Sequence, residues 1–112
     1  MAKIEIVESL FIELEKKFKK ESHKILDLLY SLESNPKKGK FIGNVGEIAI
    51  KELKYKNFRF YFIVNGHNIK YLGKEELIDL LLRFVRMSNK TNQQEIINEI
   101  KHILKTIGPG GF

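Results

Sequence analysis

The spacing of apolar residues changes twice along the chain. Apolar and polar residues alternate over residues 3–7, which predicts a short strand. Apolar residues then recur at helical spacing over residues 8–34, with a break near residues 20–22, so we predict two consecutive helices. Asn35-Pro36 ends this segment, because the residue before a proline is driven out of the helical conformation.

A β-hairpin is predicted next. Residues 47–54 and 58–64 both have strand character, and the three residues between them suffice for a tight connection. The second strand places four large apolar side chains on one face and three residues on the other: Phe58, Phe60, Phe62 and Val64 against Arg59, Tyr61 and Ile63. Because the apolar face must pack on the helices, we expect Arg59 and Tyr61 on the opposite, accessible face.

The pattern predicts the secondary structure of the last third of the chain less clearly. Residues 74–84 (KEELIDLLLRF) fit a helix, but residues 78–87 also fit a fully buried strand, and periodicity alone leaves both possible. Residues 92–95 (NQQE) have the pattern of a capping box and predict a final helix, which Gly108-Pro109 ends. We expect one domain over residues 1–107, followed by a flexible Gly-rich tail at 108–112.

Composition excludes several classes of protein. The chain has no cysteine and three scattered histidines, so neither a disulfide framework nor a metal site is expected. The N-terminal segment lacks the apolar stretch of a signal peptide, and no run approaches the roughly 20 apolar residues of a membrane span. We therefore expect a cytoplasmic protein with no membrane partner.

Positive charge is concentrated in the middle of the chain. The net charge is +6, and residues 35–61 contain seven Lys/Arg against two Asp/Glu. Localised positive charge is typical of proteins that bind polyanions such as nucleic acids. The alternative is that these lysines only favour solubility.

Three local strings, in their order, resemble the RelE/HigB-like toxins of the RelE/ParE superfamily. Leu32–Gly39 (LESNPKKG) resembles the end of that family's helical hairpin. Lys51–Lys54 (KELK) followed by Arg59 resembles its basic β-hairpin, and Ile78–Thr91 resembles its last strand and the turn into the final helix. The resemblance spans about residues 3–107 and favours a strand over residues 78–87, which leaves 67–77 as an insertion.

The resemblance implies an α+β fold: a small antiparallel sheet with two N-terminal helices on one face and a C-terminal helix. It implies a type II toxin that cleaves mRNA on the ribosome without metal or cofactor, and a cognate antitoxin protein as partner. Two alternatives remain open. The chain could be a non-catalytic relative that binds RNA or an antitoxin, or it could act on a protein target such as gyrase.

Cleavage of RNA by such a protein needs a proton acceptor for a 2′-hydroxyl, cations for the phosphorane oxygens and a proton donor for the leaving 5′-oxygen. Arg59 is the first candidate for the phosphate, assisted by Lys54 and Arg86, with Glu52 as the base. The alternative for Arg59 is a structural ion pair with Glu52.

Four further residues are candidates for RNA binding. Lys90 and Lys56 would contact phosphate, Ser88 could do the same, and Tyr61 could stack on a base. Each also has an ordinary structural interpretation as a surface or turn residue. One departure from the family favours the non-catalytic alternative: residues 93–96 contain no tyrosine, whereas some members have one early in the final helix.

Overall fold

The computed structural model describes residues 2–65 and 81–112. Its elements follow the predicted order, with an additional strand at Lys40–Val45 that the sequence analysis did not predict. The helices are α1 (Glu8–Phe18), α2 (Ser22–Tyr30) and α3 (Gln93–Thr106). The strands are β1 (Lys3–Ile6), β2 (Lys40–Val45), β3 (Ile48–Tyr55), β4 (Phe58–Asn65) and β5 (Leu81–Ser88). The segment that periodicity left undecided is therefore a strand over residues 81–88, and the predicted insertion at 67–77 lies outside the described residues.

The strands form one five-stranded sheet in the order β1-β5-β4-β3-β2. The pairing of β1 with β5 is parallel, and the other three pairings are antiparallel. β3 and β4 are joined by the two-residue turn Lys56-Asn57, in which Lys56 adopts a left-handed φ of 53°. The predicted α+β fold, with an N-terminal helical hairpin and a C-terminal helix on a mainly antiparallel sheet, is confirmed.

The helical hairpin of α1 and α2 covers one face of the sheet. A short 3₁₀ turn at Lys19–Glu21 joins the two helices, where the sequence pattern breaks. Their apolar stripes pack on the aromatic face of β4 and on β5, and the main members of this first core are Leu10, Leu14, Ile25, Leu29, Phe60, Phe62 and Phe84. The alternation of apolar residues along β4 predicted this face correctly.

Helix α3 covers part of the opposite face, which we expected to be open. Its buried residues pack on residues of β3, β4 and β5, and this second core contains Ile50, Tyr61, Ile63, Val85, Ile97, Ile100 and Leu104. The physical reason is that an amphipathic helix must bury its apolar stripe, and this face of the sheet offers the apolar surface to do so. The expectation of an accessible Tyr61 was therefore wrong, since its side chain is 0% exposed.

The start of α3 is stabilised differently from the prediction. The helix begins at Gln93, next to the predicted cap, but Asn92 makes no side-chain capping hydrogen bond. Instead, Oδ1 of Asn89 accepts hydrogen bonds from the backbone N–H groups of Thr91 and Asn92. The predicted capping box is wrong, because the asparagine side chains form hydrogen bonds within the turn that precedes the helix.

Gly39 allows the basic loop before β2 to lie against the sheet. Its φ is +110°, and a Cβ at this position would lie 3.0 Å from Cζ of Phe62 and 3.2 Å from the carbonyl oxygen of Glu52. We expect Gly39→Ala to lower the free energy of unfolding by about 2–3 kcal/mol, through combined backbone strain and steric conflict.

Gly46→Ala is the matched control for this prediction. Gly46 also has a positive φ, +58°, but a Cβ there would meet nothing within 4 Å. Only the conformational cost remains, so we expect a loss of about 1 kcal/mol. Urea denaturation measures both variants, and equal losses would show that the contact with Phe62 is unimportant.

Among the described residues, the helices are too short or too polar to cross a lipid bilayer.

Candidate nucleic-acid interface

Charged side chains from β3, β4 and β5 share the face of the sheet that α3 covers in part. In the register, Lys54 lies opposite Arg59, Glu52 lies opposite Tyr61, and Tyr61 lies opposite Arg86. Directly paired residues of antiparallel strands project to the same side, and Tyr61 belongs to the core beneath α3. The four predicted catalytic residues therefore lie on one surface.

Arg59 lies at the centre of this group. Its side chain is 12% exposed, and its Nε lies 3.9 Å from Oε1 of Glu52, whose side chain is 11% exposed. Its Nη1 donates a hydrogen bond of 3.3 Å to the carbonyl oxygen of Phe58. A separation of 3.9 Å is longer than an N–H···O hydrogen bond, so the carboxylate attracts the guanidinium without fixing it as a bidentate pair would. Arg59 is thus part of an ion pair and still has the donors to hold a phosphate.

Arg86 is held by α3 as well as by its own strand. Its Nε donates to Oε2 of Glu99 at 3.2 Å, and its Nη1 donates to the carbonyl oxygen of Val85 at 2.7 Å. The guanidinium carbon also lies 5.1 Å from the centre of the Phe112 ring. Glu99 and Phe112 are contacts that the sequence did not indicate, because both depend on how α3 docks.

Tyr61 and Ser88 form a buried pair beside these cations. The Tyr61 Oη and the Ser88 Oγ are 2.9 Å apart, and the two residues are 0% and 2% exposed. The predictions that Tyr61 stacks on a base and that Ser88 touches a phosphate are wrong, because neither side chain reaches the surface. Their pair instead satisfies two polar groups in the second core.

Burial raises the pKa of Tyr61, and the hydrogen bond with Ser88 opposes that shift in part. Since the unfolded chain ionises nearer the ordinary value of 10.0, the folded protein should lose stability as the pH rises above 10. Subtracting the alkaline absorbance titration of Tyr61→Phe from that of wild type isolates the ionisation of Tyr61. We expect this ionisation at a higher pH than that of an ordinary tyrosine. A Tyr61 signal that titrates at or below pH 10 would contradict the burial.

The two other predicted RNA-binding residues take different positions. Lys90 is exposed in the loop between β5 and α3, where its carbonyl oxygen accepts a hydrogen bond from Gln93. Lys56 lies in the hairpin turn, and its Nζ donates to Oε1 of Glu21 at 2.8 Å. This bond raises the pKa of Lys56 and lowers the pKa of Glu21. It directs Lys56 toward the helical hairpin and not toward the face of Arg59.

Lys51 also faces away from the candidate site. It is 8% exposed, and its Nζ donates to the carbonyl oxygen of Lys37 at 3.1 Å. Burial lowers the pKa of Lys51. The two lysines of the KELK string therefore differ in role: Lys51 holds the basic loop, and Lys54 is exposed on the other face.

Two lysines that the sequence analysis did not select extend the basic surface. Lys40 is exposed at the start of β2 and pairs with Glu52 in the register. Lys101 of α3 lies over β2, since a Cβ on Gly43 would be 3.5 Å from its Nζ. A bulge between Phe41 and Gly43 shifts the register of β2. The sequence analysis predicted neither a strand over residues 40–45 nor the docking position of α3, so it selected neither lysine.

The groups gathered on this surface are of the types that bind phosphodiesters in proteins. Arg59 and Lys54 lie side by side, with Arg86 on the neighbouring strand and Glu52 between cations. Guanidinium and ammonium groups stabilise phosphate oxygens, and a carboxylate at this place can accept a proton. Within residues 2–65 and 81–112, no cluster of three or more His, Cys, Asp or Glu side chains could hold a metal ion.

Comparison with solved structures identifies the fold. The chain is similar to a chain of the crystal structure of the archaeal RelE–RelB complex from Pyrococcus horikoshii OT3, with a TM-score of 0.60 and 13% identity. The match covers 80% of this chain and 96% of that chain. No protein-family model and no curated protein matches the sequence. The protein therefore has a RelE-like fold.

Proposed function

We propose that this protein is the toxin of a type II toxin–antitoxin system, and that it cleaves mRNA without a metal ion. One observation carries the proposal: Lys54, Arg59 and Arg86 share one face of a RelE-like sheet with the carboxylate of Glu52. A sheet built only for stability has no need to gather cations around one carboxylate, since like charges on neighbouring strands repel each other.

The proposed reaction is an internal transesterification of RNA. Glu52 accepts the proton of a 2′-hydroxyl, and that oxygen forms a bond to the adjacent phosphorus. Arg59 and Lys54 stabilise the charge on the phosphorane oxygens. The bond from phosphorus to the 5′-oxygen then breaks, and the leaving oxygen takes a proton from an ammonium group such as that of Lys54. The products are a 2′,3′-cyclic phosphate and a free 5′-hydroxyl.

Arg86 and Lys90 have binding roles in this proposal. Arg86 lies on the strand beside Tyr61, and Lys90 is exposed where β5 leads into α3. Both can hold phosphates that flank the cleaved bond, because backbone contacts position an RNA strand without regard to its sequence.

The proposed partners are mRNA on the ribosome and a cognate antitoxin, which places the protein in the cytoplasm. The similar solved structure is a complex of RelE with RelB, which supports an antitoxin partner for this chain. A basic surface of this kind would attract an acidic protein segment as well as RNA.

Inducible expression followed by mapping of mRNA 5′ ends tests the proposal. We expect wild type to arrest growth and to produce new 5′ ends within translated regions, whereas Arg59→Ala and Arg86→Ala lose both effects. Arrest without new 5′ ends would overturn the nuclease function.

A second candidate function is RNA binding without cleavage. It is favoured by the absence of a tyrosine at residues 93–96 and by the ion pairs that engage Arg59 and Arg86. Under this alternative, purified wild type binds single-stranded RNA and leaves it intact.

A further inference from the structure

We propose that Phe112 is the residue on which an RNA base stacks. This inference rests on the proposed function, because it assigns a base-binding position beside the proposed phosphate-binding cations. Tyr61, the aromatic residue that the sequence suggested for this role, is buried beneath α3. The ring of Phe112 lies instead at the edge of the same surface, 5.1 Å from the guanidinium carbon of Arg86.

The path of the tail after α3 is specified by several contacts. Gly108 has a φ of +104°, and its N–H donates to the carbonyl oxygen of Ile103 at 3.0 Å. The N–H of Gly111 donates to the carbonyl oxygen of Gly108 at 3.1 Å. Arg83 then holds the tail on the sheet, since its Nη1 donates to the carbonyl oxygen of Pro109 at 2.8 Å. These bonds turn the chain back toward β5.

Gly111 provides the close approach that brings Phe112 to Arg86. A Cβ at this position would lie 2.7 Å from Cγ2 of Ile103 and 3.0 Å from Cβ of Ile107. The glycine therefore lets the tail lie directly against the end of α3. A larger residue would push the tail, and Phe112 with it, away from the helix.

The environment of Phe112 suits a stacking residue. The ring packs against the second core and is partly exposed. Arg86 beneath it is fixed by Glu99, so a cation is held against the ring. Proteins bind single-stranded RNA by stacking its bases on aromatic rings that lie beside cations. Phe112 is such a ring, with a guanidinium alongside and the proposed phosphate-binding cations on the neighbouring strands.

A tryptophan at position 112 gives a direct readout, because the chain contains no tryptophan. We expect the fluorescence of Phe112→Trp to be quenched when a short single-stranded RNA binds, and its affinity to match that of wild type. Phe112→Leu keeps an apolar side chain against the core but removes the aromatic face. We expect it to bind the RNA about 5- to 100-fold more weakly.

Two controls separate this inference from the proposed function. Phe11→Leu makes the same substitution at a 40% exposed phenylalanine of α1, in the helical hairpin that packs on the other face of the sheet, and should leave the affinity unchanged. An oligomer of the same length that lacks its bases should bind wild type and Phe112→Leu equally, whereas Arg59→Ala should weaken the binding of both oligomers.

Three outcomes would overturn the inference. If Phe112→Leu binds RNA as tightly as wild type while Arg59→Ala does not, the stacking role fails and the proposed function stands. If Phe112→Leu binds more tightly, the tail blocks the site and does not serve it. If wild type binds no RNA, the proposed function fails together with the stacking role, and the surface is then better assigned to a protein partner.

Discussion

Arg59→Ala is expected to reduce the affinity of the protein for single-stranded RNA by about 10- to 100-fold, the usual contribution of one charge-assisted hydrogen bond to a phosphate. Cleavage should fall by about 100- to 1000-fold, because the same guanidinium would stabilise the phosphorane. The free energy of unfolding should fall by about 1–3 kcal/mol, because Glu52, whose side chain is only 11% exposed, loses its cation. Filter binding, single-turnover cleavage and urea denaturation measure the three quantities.

Two companion variants define the role of Arg59. Arg59→Lys keeps the charge but loses the bidentate geometry, so it should retain part of the affinity and little of the cleavage. Glu52→Gln removes the carboxylate near Arg59, so it should bind RNA more tightly and yet cleave it about 100-fold more slowly. If Arg59→Ala binds and cleaves like wild type, Arg59 is a structural residue and the proposed site is wrong.

Tyr61→Ala is expected to lower the free energy of unfolding by about 3–5 kcal/mol, because it deletes a fully buried aromatic ring between the sheet and α3. A loss of this size is a large part of the stability of a small domain. Thermal and urea denaturation measure it. A loss below about 1 kcal/mol would mean that the ring is not part of the core and would restore Tyr61 as a surface residue.

Tyr61→Phe is the matched control. It keeps the ring and removes only the hydroxyl that pairs with the Ser88 Oγ at 2.9 Å, so we expect a loss of about 0.5–1.5 kcal/mol. Its affinity for RNA should equal that of wild type. Clearly weaker RNA binding by this well-folded variant would show that the hydroxyl reaches the RNA after all.

The strand alternation in residues 58–64 was the most informative signal in the sequence. It placed Phe60 and Phe62 against the helical hairpin and Arg59 on the opposite face, as the structure has them. A period of two leaves no other arrangement once one face is strongly apolar. The order of the helices and strands was predictable for the same reason, because the periods of the apolar residues differ clearly between them.

The docking of α3 could not be predicted from its own sequence. The amphipathic pattern indicated that the helix has a buried face, but it did not tell which surface that face covers. Ile107 lies at helical spacing from the buried Ile100 and is nevertheless 72% exposed, whereas Ile97 and Leu104 are buried. The burial of Tyr61 and the contact of Glu99 with Arg86 both follow from this docking.

The candidate site was predicted in part. The sequence analysis selected Lys54 and Glu52 as partners of Arg59 and added Arg86 as a further cation; the register brings these residues to one face. Lys40 was missed because no strand was predicted over residues 40–45, and Phe112 because a Gly-rich tail gives no periodic signal. The flexibility of residues 108–112 stays a prediction, although the structure records defined contacts for this tail.

The salt dependence of RNA binding tests the assignment of this surface most directly. Each phosphate contact to single-stranded RNA adds about 0.7 to the slope of log affinity against log salt concentration. We expect wild type to bind with a steep slope, and Arg59→Ala, Arg86→Ala and Lys54→Ala each to reduce that slope by about 0.7. Slopes that are the same in all four proteins, or RNA binding that does not depend on salt, would contradict a phosphate-binding role for these cations.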